Sequence, residues 1–216
     1  TYIEIDSPDK HLSDVLEEIP SNVILYKTLT GIGATYSEIK AQRHSIIIEP
    51  NVPVIIGKCN SAKHKNDNLL GVYEGVTTDR IIKYLGASRG KYYKILTTPE
   101  SFTKVKDAFL IFNGKIYNTC FLLIDEAHKT IKDVDYRSDI VLPMNDFFKF
   151  KGKALVSATP LKFSDPRFEE NGFSIIKIEP TYDYAKEIDI KPSTNILREV
   201  WEEFGWMPFI LSLIHI

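Results

Sequence analysis

An α/β fold, built on a mostly parallel sheet with helices on both faces, is predicted for this chain by three observations. Short apolar runs alternate with amphipathic stretches over most of the 216 residues. A glycine-containing turn links one of the first runs to the helix-like segment after it. Several runs, "VILY" and "FLLI" among them, are apolar at every position, as strands covered on both faces must be. With 44% hydrophobic residues the chain can bury one substantial core.

The elements follow in order. In "SPDKHLSDVLEEIP", Ser7 reads as an N-cap and Pro8 as the first helical position, with Leu12, Val15, Leu16 and Ile19 at helical spacing until Pro20 stops the helix. "NVILYK" is a strand, "GATYSEIKAQR" a helix and "SIIIEP" a second strand, which together make a βαβ unit. The alternation continues with a strand over 69–73, a helix over 78–85, a strand over 93–97 and a helix starting near Ser101. "CFLLIDEAH" and "KALVSATP" each begin as an apolar strand. After Pro160 the pattern changes to "SIIKIEP", a polar stretch, "EIDIKP" and a helix-like "TNILREVWEEF".

Residues 1–165 are therefore expected to form one domain, 166–195 a connector, and 196–216 the truncated start of a second domain or an artefactual tail. The chain opens on Thr1 and closes on the apolar "WMPFILSLIHI", which resembles translated adapter read-through, so a fragment is expected and Pro208 onward is given no functional weight.

Charge and cysteine content narrow the function classes. Against 29 acidic residues stand 27 Lys and Arg, so any nucleic-acid binding must come from local patches. Cys59 and Cys120 are too few for a disulfide framework or a zinc site, which suits a reducing, cytoplasmic setting. No apolar stretch approaches the roughly 20 residues that cross a bilayer, and no signal peptide is visible, so a soluble intracellular protein without membrane partners is expected. The five histidines show no ligand spacing, and "DEAHK" is not the HExxH of a metalloprotease.

The chemistry lies at the ends of the predicted strands. "LLIDEAH" delivers Asp125 and Glu126 to a strand's carboxyl end, where one carboxylate can hold Mg2+ and the next can polarise an attacking water, an arrangement suited to phosphoryl transfer. An isolated Asp-Glu pair would more simply start a helix. In "TLTGIGAT", Gly31 and Gly33 can take the positive φ that brings backbone N–H groups to phosphates, and Thr35 can place a hydroxyl on the metal. "LVSATP" ends another strand with Ser157 and Thr159, whose hydroxyls can bond His128 or Glu126.

Taken together these segments resemble the first RecA-like domain of a superfamily 2 helicase or translocase of the DEAD/DEAH type, over about residues 20–165. Four motifs stand in family order: "TGIGAT" as motif I, "TTPES" as motif Ib, "DEAH" as motif II and "SAT" as motif III. The resemblance implies a P-loop domain that binds ATP and Mg2+, hydrolyses ATP, and works on a single nucleic-acid strand with a second RecA-like domain. It assigns nucleotide contact to Thr30, Gly31, Ile32, Gly33, Ala34 and Thr35, metal binding to Thr35 and Asp125, and the catalytic base to Glu126. It further assigns coupling to His128, Ser157, Ala158 and Thr159, and the strand path to Thr98, Pro99 and Asn51. "EPNVP" departs from the arginine-bearing motif Ia.

Ala34 is the main departure, because the family's motif I ends in Gly-Lys-Thr and its lysine supplies a point charge to the β and γ phosphates. Lys27, just upstream in "LYKTLTGIGAT", is the candidate replacement; the plainer reading makes it a solvated strand-end residue. Ala34 argues for the alternative of a degenerate nucleotide- or nucleic-acid-binding module lacking turnover, and a viral DNA-packaging motor, which shares the carboxylate pair and a downstream coupling strand, is a third reading. Two basic segments remain: "GKCNSAKHKNDN", with Lys58, Lys63, His64 and Lys65, and "SRGKYYK", where Arg89, Lys91 and Lys94 interleave with Tyr92 and Tyr93. Each suits phosphate contact and base stacking, or simply solvated loop charge.

Overall fold

A computed structural model of the protein describes residues 1–28, 31–132, 142–159 and 165–183. Among these residues eight strands form one sheet: β1 (Tyr2–Ile5), β2 (Val23–Lys27), β3 (His44–Ile48), β4 (Leu69–Val72), β5 (Lys94–Thr97), β6 (Cys120–Ile124), β7 (Gly152–Ser157) and β8 (Ser174–Pro180). Their order is β1-β8-β2-β7-β6-β3-β5-β4, and every pairing is parallel. Between them run α1 (Leu12–Val15), α2 (Ala34–Lys40), α3 (Val52–Asn60), α4 (Thr78–Ala87), α5 (Phe102–Phe112), α6 (Ile116–Thr119), α7 (Ala127–Lys132), α8 (Leu142–Phe147) and α9 (Arg167–Glu170).

Strand alternation divides the core into two layers. Ile46 and Ile48 of β3, with Ile24, Leu122, Ile124 and Leu155, pack with Ile81 and Leu85 of α4 and Phe102, Val105 and Phe109 of α5. The intervening Ile47, with Leu25, Leu123, Ala154 and Val156, packs with Ile39 of α2 and Ile55 of α3. Successive side chains point to opposite faces, so a strand buried in both layers must be apolar throughout. Burial of each such Leu or Ile contributes about 1.5–3 kcal/mol relative to exposure. The predicted α/β class and parallel sheet are thus observed.

Three stretches differ from expectation. The N-terminus supplies an edge strand, β1, and the expected helix from Ser7 contracts to α1. The N–H of Leu12 donates to the Ile32 carbonyl at 2.8 Å, and the His11 N–H to the Asp14 carboxylate at 2.7 Å, so this segment is tied to the glycine loop. Among the described residues, the Ser7 hydroxyl accepts from the Asp9 N–H alone, at 3.3 Å.

The second difference is the region after 165, read as a connector. Its "SIIKIEP" is β8, inserted between β1 and β2 with Ile176 and Ile178 buried, and the compact unit runs Thr1–Asp183. The domain boundary expected at 165 therefore falls inside this unit. The third is α3, whose apolar "VPVII" hides a helix capped by the Asn51 side chain, which accepts from the Val54 N–H at 3.3 Å. Residues 184–216, including the expected second-domain start or tail, lie outside the described residues.

Candidate nucleotide and metal site

The carboxyl ends of β2, β6 and β7 bring the predicted chemistry to one place, as open parallel sheets do. Asp125 follows β6 directly, and its backbone N–H donates to the Ile48 carbonyl of β3 at 3.0 Å, which extends the ladder by one residue and fixes the side chain's origin. Glu126 then takes φ of 50°, a left-handed conformation that non-glycine residues rarely occupy. Its N–H donates to Asp125 Oδ1 at 2.8 Å.

The glycine loop approaches from β2. Leu29 and Thr30 lie outside the described residues. Gly31 and Gly33 have φ of 82° and 84°, so both meet the left-handed requirement that the sequence predicts. A Cβ at Gly31 would meet nothing within 4 Å, so conformation sets that glycine and the loop mouth stays open. Ile32 is half-buried, Ala34 is packed into the α2-side core, and the Thr35 hydroxyl donates to Asp125 Oδ2.

Lys27 is the residue the sequence left ambiguous. It is only 6% exposed, and its Nζ lies 2.6 Å from Glu126 Oε1 and 3.3 Å from Asp125 Oδ1. The solvated strand-end reading is therefore wrong: two carboxylates meet the ammonium at the buried end of the strand. Burial opposes that charge, but Asp125 and Glu126 outweigh it and raise the lysine pKa. Burial likewise disfavours ionised Asp125, yet Lys27 and the Thr35 hydroxyl hold its pKa below the usual carboxylate value.

Oxygen donors suited to Mg2+ are thus adjacent: the Asp125 carboxylate and the Thr35 hydroxyl, both buried. Among the described residues no group of three His, Cys, Asp or Glu forms a closed metal cage.

The predicted coupling residues are also together. His128 Nδ1 lies 3.2 Å from Ser157 Oγ and 3.5 Å from Glu126 Oε2. Ser157 Oγ in turn donates to the Thr159 carbonyl at 2.6 Å and accepts from the Thr159 N–H at 3.2 Å, with half-buried Ala158 between. The strand-path residues are less uniform. Thr98 and Pro99 are buried, with the Ser101 N–H donating to Thr98 Oγ1 at 3.4 Å, whereas Asn51 is exposed at the start of α3.

Sequence reasoning missed Glu49. It follows β3 directly at 1% exposure, and its Oε1 lies 2.6 Å from Lys58 Nζ of α3. Burial pushes its pKa up to about 7, against the pull of Lys58 and with added repulsion from Asp125. Lys58 is thereby removed from the basic loop in which it was expected, and His64 is buried with its Nδ1 2.8 Å from Asp67. The carboxylate after "III" was the one available signal, since a fully apolar strand seldom ends on a buried acid without purpose.

No family model and no curated protein matches the chain. Solved structures do. The helicase domain of Hef from Pyrococcus furiosus superposes with a TM-score of 0.51 at 12% identity, over 80% of this chain and 38% of that one. A hypothetical ATP-dependent RNA helicase from Sulfolobus tokodaii gives 0.49 at 17%, over 73% and 48%. A DEAD box protein from Methanococcus jannaschii gives 0.46 at 20%, over 73% and 45%. The chain spans less than half the length of each. At these identities the likeness is one of fold, and the Hef match together with the all-parallel sheet identifies a RecA-like fold of the kind found in helicase domains.

Proposed function

We propose that this chain is the ATP-binding motor domain of a nucleic-acid helicase or translocase, with Lys27 supplying the charge that Ala34 lacks. The observation that carries the reading is the convergence of Lys27, Thr35, Asp125 and Glu126 at the ends of β2 and β6. Thr35 and Asp125 would hold Mg2+, which when bound neutralises charge on the β and γ phosphate oxygens.

The chain's own residues do the rest. Gly31 and Gly33 open the loop backbone to phosphate. Lys27 pairs with both carboxylates before ligand arrives, offsetting one of their two charges, and its flexible stem lets the ammonium transfer to phosphate oxygens. That transfer frees Glu126 to take a proton from a water. His128, held between Glu126 and Ser157, passes the change to the end of β7. A single strand would cross the same strand ends near Asn51, and a second RecA-like domain would complete the site.

The test is a titration of Mg-ATP and of ATP alone, alongside turnover with and without single strands, on a chain that includes the second domain. Strand-stimulated turnover supports the motor. Tight binding without turnover would instead identify a degenerate module, the reading that Ala34 favours.

A further inference from the structure

Apart from Lys58, which pairs with Glu49, the two basic segments that the proposed motor leaves unused are not near its strand ends. "SRGKYYK" precedes β5 and the tail of "GKCNSAKHKNDN" precedes β4, so both sit at the amino ends of the strands, opposite the carboxylates. At about 3.3 Å per residue, Tyr92 is roughly 20 Å from Thr98 along the strand direction.

Here the chain makes a fixed platform. Gly90, with φ of 77°, turns the 88–92 loop, and the Lys91 N–H donates to the Ser88 carbonyl at 3.1 Å. The Asn68 amide donates to Ser88 Oγ at 2.9 Å and to the Tyr92 carbonyl at 3.3 Å, and the Tyr93 N–H donates to His44 Nδ1 at 2.9 Å. Tyr93 stacks on His44 with centroids 4.2 Å apart, and Tyr92 meets the same His44 edge-on at 5.6 Å while remaining 45% exposed.

Lys91 and Tyr92 line two clefts at once, one of about 520 Å³ that also holds Arg89 and His44, and one of about 300 Å³ that also holds Lys94. Both volumes fall in the range of ligand sites, about 300–1,000 Å³. Arg89 and Lys91 are exposed and form no ion pair with any described residue. The acid of the second cleft, Asp67, is already engaged by Lys40 at 2.7 Å and by His64 at 2.8 Å. The platform therefore carries uncompensated positive charge around an exposed aromatic ring.

We propose that this end of the sheet is a second binding site for single-stranded nucleic acid, in which Tyr92 stacks on a base and Arg89 and Lys91 hold the flanking phosphates. Cations beside an aromatic platform are what strand binding without sequence preference requires. An acidic peptide would use the cations and leave the ring unexplained.

Binding of a short fluorescein-labelled oligothymidylate or oligouridylate, followed by anisotropy without nucleotide across a salt series, tests this. Tyr92→Ala should weaken binding about fivefold or more, the size of one base stack, while Tyr92→Phe should restore it. The Arg89→Ala/Lys91→Ala pair should lower the slope of log affinity against log salt by about 1.4, the share of two phosphates on a single strand. A 5-iodouracil strand should crosslink to the Tyr92 peptide on irradiation.

Absence of oligonucleotide binding, or binding unmoved by these variants, overturns the proposal. Competition by polyglutamate as strong as by unlabelled strand at equal charge overturns it in favour of an acidic protein partner. Mg-ATP titration of the same variants separates this from the motor reading: loss of strand binding with ATP binding intact touches only this site, whereas strand binding through Tyr92 in a chain that binds no ATP leaves this site standing and removes the motor.

Discussion

Lys27 and Glu126 meet at 2.6 Å across the ends of two strands separated in the sheet by β7, with Asp125 as a second partner at 3.3 Å. One cation holding two carboxylates means that anything which binds this site must first reorganise that pair. Breaking a buried pair by removing one partner leaves an uncompensated charge and costs about 3–5 kcal/mol. Lys27→Met should therefore lower the urea midpoint by a corresponding amount and weaken Mg-ATP binding at least tenfold. Unchanged nucleotide affinity in a folded Lys27→Met chain would remove Lys27 from the phosphate site.

Thr35→Val should separate metal dependence from nucleotide binding. The hydroxyl it removes donates to Asp125, a bond to a charged group worth about 1.5–3 kcal/mol. In calorimetric titrations with Mg2+ and with EDTA, the parent's preference for Mg-ATP should collapse in the variant. Equal Mg2+ dependence in both chains would show that Thr35 does not carry the ion.

Glu49 makes stability fall as pH rises through neutrality. Its folded pKa of about 7 lies above the ordinary value of 4.5, so the native state holds its proton longer. The stabilising share is full below 4.5 and lost as pH passes 7. Denaturant titrations of Glu49→Gln against the parent should show the variant gaining relative stability from pH 4.5 to pH 8. A difference independent of pH would contradict this assignment.

Lys94 acts in a different window. Its ammonium is 3% exposed and donates to the carbonyls of Glu38 and Ala41 at 2.7 and 2.8 Å, at the end of α2, but burial lowers its pKa from 10.5 to about 8. Between those values the unfolded chain binds more protons, so stability should rise with pH over about 8–10.5, on the order of 3 kcal/mol at most. Lys94→Met should flatten that rise, and circular dichroism melts at pH 8 and pH 10 read the difference. Parallel curves for the two chains would refute it.

How much was legible beforehand follows from range. Local pattern sufficed for β2, α2, β3, α4, β5, α5, β6 and β7, because continuous apolar runs and helical spacing report burial directly. It failed at β1 and β8, edge and inserted strands whose partners lie far away in sequence, as Tyr2 beside Lys177 illustrates. It failed at α3 because "VPVII" offers no periodicity that separates a helix from a strand.

By itself the sequence determined the residue types and their order: two loop glycines, Thr35, the Asp125-Glu126 pair after an apolar strand, and Ser157 after another. Side-chain chemistry and strand ends are local properties, so these could be read in advance. Only the tertiary structure decided what each group faces. It put Lys27 of β2 on the carboxylates that follow β6, buried Glu49 beside Lys58, hid Thr98 and Pro99, and carried the 89–92 cluster to the far end of the sheet. Parallel strand order places residues that are distant in the chain side by side, and that order is set by burial summed over the whole core, which no short segment encodes.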